Sequence, residues 1–351
     1  LLKKVQDEAN VKILLALKGF ALWSTFDLCR QYLKGCCASG LNEALLAKEE
    51  FKGEVHTYSP AFKEDEIDKI IEISNHVVFN SFAQYKKYKQ KVAGKTSCGL
   101  RVNPEYSSVE VDLYNPCAPY SRLGITKANF QENELDGIDG LHFHALCEQN
   151  VDALEGALAN FEKNFGQYLP SMKWVNFGGG HHITRADYDV QGLIFLLKAF
   201  KKRHPHLEVY LEPGEAVGWQ TGVLMATVLD IVENGMSLVI LDTSAEAHMP
   251  DTLAMPYRAA IRGAGLPNEK KYTYRLGGNT CLAGDIIGDY SFDAPLKVGD
   301  KIILEDMIHY TMVKTTTFNG INLPSIVLLK ENDCYQIVRN FGYNDYKSRL
   351  S

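Results

Sequence analysis

The sequence lacks any unbroken apolar run of the roughly 18 residues that a membrane-spanning helix requires. It also lacks a charged-then-apolar leader of the secretory kind. Basic residues are not in excess: 37 Lys and Arg stand against 43 Asp and Glu, a formal charge of −6. That balance argues against a nucleic-acid surface and leaves any preference for cationic partners to a local site. Eight cysteines are present, but none forms a Cys-x-x-Cys pair, and adjacent Cys36-Cys37 suits no disulfide framework. A reduced, cytoplasmic protein is therefore expected, with no membrane and no nucleic-acid partner. There is no internal repeat, no low-complexity segment, no Walker A loop and no Gly-x-Gly-x-x-Gly. The sequence opens on Leu1, partway through a helical pattern over residues 1–10, so an upstream segment is expected.

With 351 residues, 46% of them hydrophobic, the sequence can pack one large domain or two ordinary ones. Its organising stretch is Val11-Lys12-Ile13-Leu14-Leu15-Ala16-Leu17-Lys18-Gly19, a short apolar strand with a lysine at its tip. Burial lowers a lysine's pKa and leaves the neutral amine, the form that attacks carbonyls. Similar strands follow at 35–40 (a short strand and turn), 54–59, 76–81, 98–103, 140–146, 174–177 and 207–211. Helical patterns fall between them at 24–33, 42–50, 63–74, 82–92, 151–165 and 187–203. Eight strands in strict alternation predict a parallel sheet closed into a (β/α)8 TIM-type barrel, whose chemistry sits at the strands' C-terminal ends. Those ends hold Lys18, Ser39, Asn80, Arg101, His144, the Gly178-Gly179-Gly180 run and Glu212. Residues 105–124 are too long for a simple connection and form a candidate active-site loop. From about Trp219 the texture changes to short β-prone runs at 222–232, 237–242, 272–276, 301–305, 308–313 and 326–329, with 262–271 as an exposed loop. The expectation is a barrel domain over 1–218 and an all-β C-terminal domain over 219–351.

Several clusters carry chemistry. Gly178-Gly179-Gly180 after a strand can offer bare backbone N–H groups to a phosphate, or simply make a tight turn. His142-Phe143-His144 is expected to put its two imidazoles on opposite faces of a strand, poor for joint metal binding, so that only one points into the barrel, where a flat ring could stack on an aromatic cofactor. His181-His182 has no carboxylate or cysteine at metal-ligand spacing, and no metal is expected. Glu212-Pro213-Gly214-Glu215 places two carboxylates at the barrel mouth. Gly277-Gly278-Asn279-Thr280-Cys281-Leu282-Ala283-Gly284-Asp285 joins a cysteine and an acid to a glycine-rich segment. Ile308-His309-Tyr310-Thr311 reads as a strand.

Taken in order, Leu17-Lys18, His144, Gly178-Gly179-Gly180, Glu212-Pro213-Gly214, Cys281 with Asp285, and Tyr310 with Phe318-Asn319-Gly320 resemble the alanine-racemase-fold pyridoxal-phosphate decarboxylases. Longer motifs resemble the carboxynorspermidine (carboxyspermidine) decarboxylase branch more narrowly. These include Leu-Lys-Gly-Phe-Ala, Gly-Leu-His-Phe-His-Ala-Leu-Cys-Glu, Asn-Phe-Gly-Gly-Gly-His-His, Glu-Pro-Gly-Glu-Ala-Val-Gly-Trp and Glu-Ala-His-Met-Pro-Asp. The resemblance spans nearly the whole chain. It implies pyridoxal 5′-phosphate as cofactor and Lys18 as its covalent partner. By the same likeness His144 stacks on the pyridine ring, and Gly178, Gly179 and Gly180 bind the phosphate. Glu212 pairs with the ring nitrogen and Tyr310 reaches the phosphate. It further implies a homodimer in which Cys281 and Asp285 cross into the partner's site. Two departures stand out: the wider family has arginine where this sequence has Glu215, and serine where it has Cys147.

The substrate so implied is an α-amino acid with a polyamine tail, carboxynorspermidine or carboxyspermidine, decarboxylated to norspermidine or spermidine. A carboxylate at Glu212 keeps the ring nitrogen protonated and favours decarboxylation over racemisation. After CO₂ leaves, Cys281 or Lys18 protonates the α-carbon. A cationic tail needs carboxylates, and Glu215, Asp251 and Asp285 are the candidates. Two other readings stay open. One is a decarboxylase of a simpler basic amino acid, ornithine or meso-diaminopimelate. The other is a non-catalytic regulatory homologue.

Overall fold

Strand β1 (Lys12–Ala16) alternates nothing: its residues after Lys12 are buried on both faces, as a parallel strand between a barrel core and a helix layer must be. The same applies along β2 (Gly35–Ala38), β3 (Glu54–Tyr58), β4 (His76–Phe79), β5 (Ser97–Arg101), β6 (Gly140–His142), β7 (Trp174–Asn176) and β8 (Glu208–Leu211). All pair in parallel in chain order, and β8 closes back onto β1 through Lys12 with Tyr210 and Ile13 with Leu211. This computed structural model describes residues 1–351 apart from Met255, Asn332 and Asp333. Two compact units result, Leu1–Val217 and Gly218–Ser351.

The helices of the first unit are α1 (Leu2–Ala9), α2 (Phe26–Cys29), α3 (Leu41–Leu46), α4 (Ile67–Ile73), α5 (Phe82–Val92), α6 (Val151–Phe165) and α7 (Val190–Arg203). Several of their starts are set by side-chain caps. Ser81 accepts from Gln84 N–H at α5, Asn150 from Val151 N–H at α6, and Asp189 from Gly192 N–H at α7. The Asp189 cap is why α7 opens at Val190, three residues later than the pattern suggested. Outside the barrel, Phe143 meets Phe161 and Phe177, and Phe177 meets Phe200, which seals strands β6 and β7 under α6 and α7. Among the described residues no helix is long and apolar enough to cross a membrane.

Inside the barrel a stack of rings fills the lower half. His56 stacks on His76 at 3.9 Å between centroids, and His76 on Trp174 at 4.6 Å. The Trp174 indole lies across β5 and β6, where only glycines leave room: a Cβ on Gly140 would sit 2.1 Å from the indole. At the strands' N-terminal ends, Lys12 Nζ lies 2.9 Å from carboxylate oxygens of both Glu54 and Glu208.

The second unit is built on a five-stranded sheet in the order β12-β11-β10-β9-β13. These are β9 (Val223–Glu233), β10 (Ser237–Leu241), β11 (Tyr272–Gly277), β12 (Ile286–Phe292) and β13 (Lys301–Glu305); β14 (Ile326–Leu329) and β15 (Tyr335–Arg339) form a separate hairpin. Its core gathers Val228, Val239, Leu241, Leu276, Tyr290 and Leu304. One expectation fails here. Residues 308–313 are not a strand: the segment turns at His309 and forms a one-turn helix, Tyr310–Val313. Its apolar residues are too few and too interrupted by His309 and Thr311 to claim a place in the sheet, whose β9 edge is already taken by β13.

Replacing Gly140 by alanine should drive a methyl into the Trp174 ring and cost about 1–3 kcal/mol of stability. The denaturant midpoint of Gly140→Ala should fall accordingly, with an unchanged slope.

Candidate active site

The upper end of the barrel gathers the charged and polar strand tips. Lys18 lies two residues past β1, in a turn closed by Gly19 N–H to Ala16 O at 3.0 Å. Backbone bonds from Ala16 N–H to Pro213 O and from Leu17 N–H to Cys37 O hold that turn between the exits of β8 and β2. The Lys18 side chain reaches solvent at the mouth, yet protein surrounds most of it. Burial, and next the Arg101 guanidinium, lower its pKa; Cys37, Cys147 and Glu212 oppose them. The direction favours the neutral amine.

His142 and His144 share one face of β6 and its exit, which corrects the expectation that only one turns inward. Side chains two apart on a strand point the same way. Phe143, between them, points out to Phe161 instead. His144 Nδ1 accepts from Gly179 N–H at 2.8 Å, so its proton sits on Nε2. Burial first, then Lys18 and Arg101, push its pKa well below the ordinary value, and the ring is neutral.

The glycine turn follows β7. Gly178 and Gly180 have φ of 72° and 86°, in the region glycine alone enters cheaply. A Cβ on Gly179 would lie 2.3 Å from Glu212 O. Any side chain here would break the approach of this turn to β8. His181 is a buried neighbour whose Nε2 lies 3.1 Å from Gly178 O.

Glu212 follows β8 and is 7% exposed. Asn176 Nδ2 donates to its Oε1 at 2.6 Å, and His142 Nε2 lies 3.3 Å from Oε2. Burial opposes ionisation, but His142 and then the Cys37 thiol outweigh it and hold the carboxyl down to about 2. Glu212 is thus a buried carboxylate, which proteins keep only for a partner.

Glu215 opens the next short helix, Glu215–Gly218. Its carboxylate lies 3.9 Å from Nε2 of buried His182, and Glu148 joins them with ligand atoms all within 4.8 Å. The spacing of His181-His182 in sequence gave no sign of this grouping. The loop over 105–124 runs beside the β6 exit, where Ser107 Oγ donates to Ala145 O at 2.6 Å and Gln149 Nε2 to Ser108 Oγ at 2.9 Å.

Four other residues named from the sequence belong to the second unit. Asp285 is 3% exposed, and its oxygens accept from Ala245 N–H, Glu246 N–H, Thr280 N–H and Thr280 Oγ. It organises its own loop. Asp251 pairs with Lys314 at 2.6 Å, and Lys314 stands 5.5 Å over the Tyr310 ring. Cys281 is exposed, with its N–H on Asn319 Oδ1 at 2.6 Å.

Sequence reasoning placed Arg101 among the polar strand tips and His142 in the His-Phe-His cluster but gave neither a role, and it missed Asn176 and Cys37. Arg101 is buried, its guanidinium 4.6 Å over the Tyr58 ring and its Nη2 donating to His144 O at 3.3 Å. The signals were there: Arg101 ends a strand, His142 stands two before His144, and Asn176 stands two before the glycines.

The fold and these residues agree with the comparisons. Residues 55–308 match the family described as "Pyridoxal-dependent decarboxylase, C-terminal sheet domain". The carboxynorspermidine/carboxyspermidine decarboxylase of Campylobacter jejuni is 54% identical, over 99% of this chain and 94% of its own. The carboxyaminopropylagmatine decarboxylase of Synechocystis is 49% identical, over 99% of this chain and 90% of its own. A crystal structure of the Campylobacter jejuni carboxynorspermidine decarboxylase complexed with norspermidine superposes with a TM-score of 0.93 at 52% identity, covering 99% of this chain and 95% of that one. The chain belongs to the pyridoxal-dependent decarboxylases, an eight-stranded parallel barrel followed by a β-sheet domain.

The donor set fits pyridoxal phosphate. It offers a lysine with a depressed pKa, a neutral flat imidazole, a side-chain-free glycine turn and a buried carboxylate. Lys18→Ala should remove covalent attachment. Borohydride reduction of the cofactor-loaded protein, followed by peptide mass analysis, should label the peptide carrying Lys18 in the parent and nothing in the variant.

Proposed function

We propose that the protein decarboxylates carboxynorspermidine and carboxyspermidine to norspermidine and spermidine, with pyridoxal phosphate as cofactor. One observation carries the substrate class: 54% identity to the Campylobacter jejuni enzyme along 99% of this chain. The barrel residues support the reaction class.

When bound, pyridoxal phosphate supplies the electron sink for the charge left on the α-carbon as CO₂ departs. Lys18 is the residue that would hold it covalently, and burial plus Arg101 ready its amine. Glu212 would hold the ring nitrogen in its protonated state, since a buried carboxylate that stays ionised stabilises a cation beside it. His144, neutral and fixed by Gly179 N–H, would present a flat face to the ring. Gly178, Gly179 and Gly180 would take the phosphate on backbone N–H groups. Cys281 or Lys18 would return a proton to the α-carbon. We infer a homodimer, with Cys281 and Asp285 in the segment that crosses between copies in similar enzymes. We assign the barrel to 1–218 and the β domain to 219–351.

For the cationic tail, the carboxylate that supports the reading best is Glu215. It stands with a second carboxylate, Glu148, around His182. Two carboxylates this close favour a cation between them. A second reading has its own support: the 49% identical Synechocystis relative acts, by its name, on carboxyaminopropylagmatine. That reading puts a guanidinium at the tail's end.

CO₂ release from carboxynorspermidine, carboxyspermidine, carboxyaminopropylagmatine, ornithine and meso-diaminopimelate, run in parallel, decides among these. We expect the first two to be turned over with the highest kcat/KM. Preference for carboxyaminopropylagmatine selects the second reading, and preference for ornithine or diaminopimelate overturns both. Glu215→Arg should raise the KM for the carboxylated polyamine by about tenfold or more while the cofactor is retained. An unchanged KM removes Glu215 from the tail site. Loss of cofactor with KM unchanged assigns it to the cofactor's surroundings.

A further inference from the structure

We propose that Asn176 is a positioning residue that locks the glycine turn and Glu212 into one rigid unit. Asn176 ends β7 and is 1% exposed. Its side-chain amide makes two bonds of opposite polarity. Oδ1 accepts from Gly178 N–H at 2.8 Å, while Nδ2 donates to Glu212 Oε1 at 2.6 Å. Only one orientation of the amide satisfies both, so the glycine turn dictates that a donor, not an acceptor, meets Glu212.

A second path joins the same two residues. Glu212 N–H donates to Gly178 O at 2.8 Å. The glycine turn and the carboxylate are therefore tied through backbone and side chain at once, and neither can shift without the other. The remaining oxygen of Glu212 faces His142. His142 is 2% exposed and its Nε2 lies 3.3 Å from that oxygen, but neither ring nitrogen makes a hydrogen bond among the described residues. Strand β7 thus sets the aim of the carboxylate at the exit of β8. The catalytic consequence rests on reading Glu212 as the ring nitrogen's partner; the coupling between Asn176 and Glu212 does not.

The test uses the full-length, cofactor-loaded protein and the variants Asn176→Asp, Glu212→Gln and the double variant. Aspartate has the shape of asparagine and keeps an acceptor for Gly178 N–H. It loses the Nδ2 donor and sets two buried carboxylates side by side. In Asn176→Asp, loss of the cofactor's visible band on dilution should accelerate about tenfold or more. Its thermal midpoint should also acquire a new pH dependence. One of the two adjacent carboxyls has a raised pKa when folded, so stability present at low pH is lost as pH rises, from about 5 to about 8. Adding Glu212→Gln gives the introduced aspartate an amide donor in place of a rival charge. Relative to Glu212→Gln alone, the Asn176→Asp change should then cost little cofactor retention, and the new pH dependence should vanish. If Asn176→Asp fails to fold while the double variant folds, the coupling stands. An equal loss whether or not Glu212 is present, or an Asn176→Asp protein with parental retention and pH profile, overturns it.

Discussion

A negative charge held inside the barrel is the constraint on which the upper half of the first unit depends. Removing a carboxylate from water is costly, and Glu212 stays ionised only because Asn176, His142 and Cys37 face it. Those residues come from different strands, so the barrel must close before the charge is tolerable. The same contacts settle the neighbours. Asn176 sets the glycine turn through Gly178 N–H, and the turn in turn fixes His144 through Gly179 N–H. Lys18 sits across from this assembly, its amine lowered by burial and Arg101 and partly restored by Glu212. One buried charge thereby links a lysine, an imidazole and a phosphate-type turn into a single electrostatic unit.

The two ends of the barrel use their polar residues differently. At the N-terminal ends of the strands, Lys12 lies between Glu54 and Glu208, and Tyr210 OH donates to Glu208 at 2.8 Å. Burial opposes ionisation of Glu54, but His56 and Lys12 outweigh it and hold it down to about 2. Every charge there has an opposite charge beside it, and rings of His56, His76 and Trp174 fill the space above. That end closes the barrel. At the C-terminal ends like charges stand together: Lys18 and Arg101 face one another's repulsion, and Glu148 and Glu215 lie around His182. Such arrangements cost stability and are kept where a ligand completes them. The second unit shows the contrast again: Asp285 answers four donors of its own loops and serves the fold.

Much was legible in the sequence because it is local. Strand, helix and turn follow from runs of apolar residues, from caps such as Ser81 and Asp189, and from glycines at 178 and 180. Eight repeats then imply closure, since a parallel sheet of that length buries its edges only by meeting itself. The texture change near Trp219 marks the second unit for the same reason. Where local pattern competed with context it failed. Residues 308–313 look like a strand, but β13 already fills the sheet edge they would need. His142 was undervalued because it was expected on the face opposite His144, whereas side chains two apart on a strand share a face.

By itself, the sequence determined the barrel, the β domain and the residue types at the strand tips, including Lys18, His144, the three glycines and Glu212. These depend on chain-neighbour patterns and on motifs read in order. Only the tertiary structure decided which side chains face each other across the barrel: that Asn176 bridges Gly178 and Glu212, that Arg101 acts on Lys18, that Glu148 joins Glu215 at His182, and that Asp285 is occupied. Residues 142, 176 and 212 lie far apart in the chain. Only closure of the sheet brings them together, where low dielectric strengthens the bond from Asn176 to Glu212.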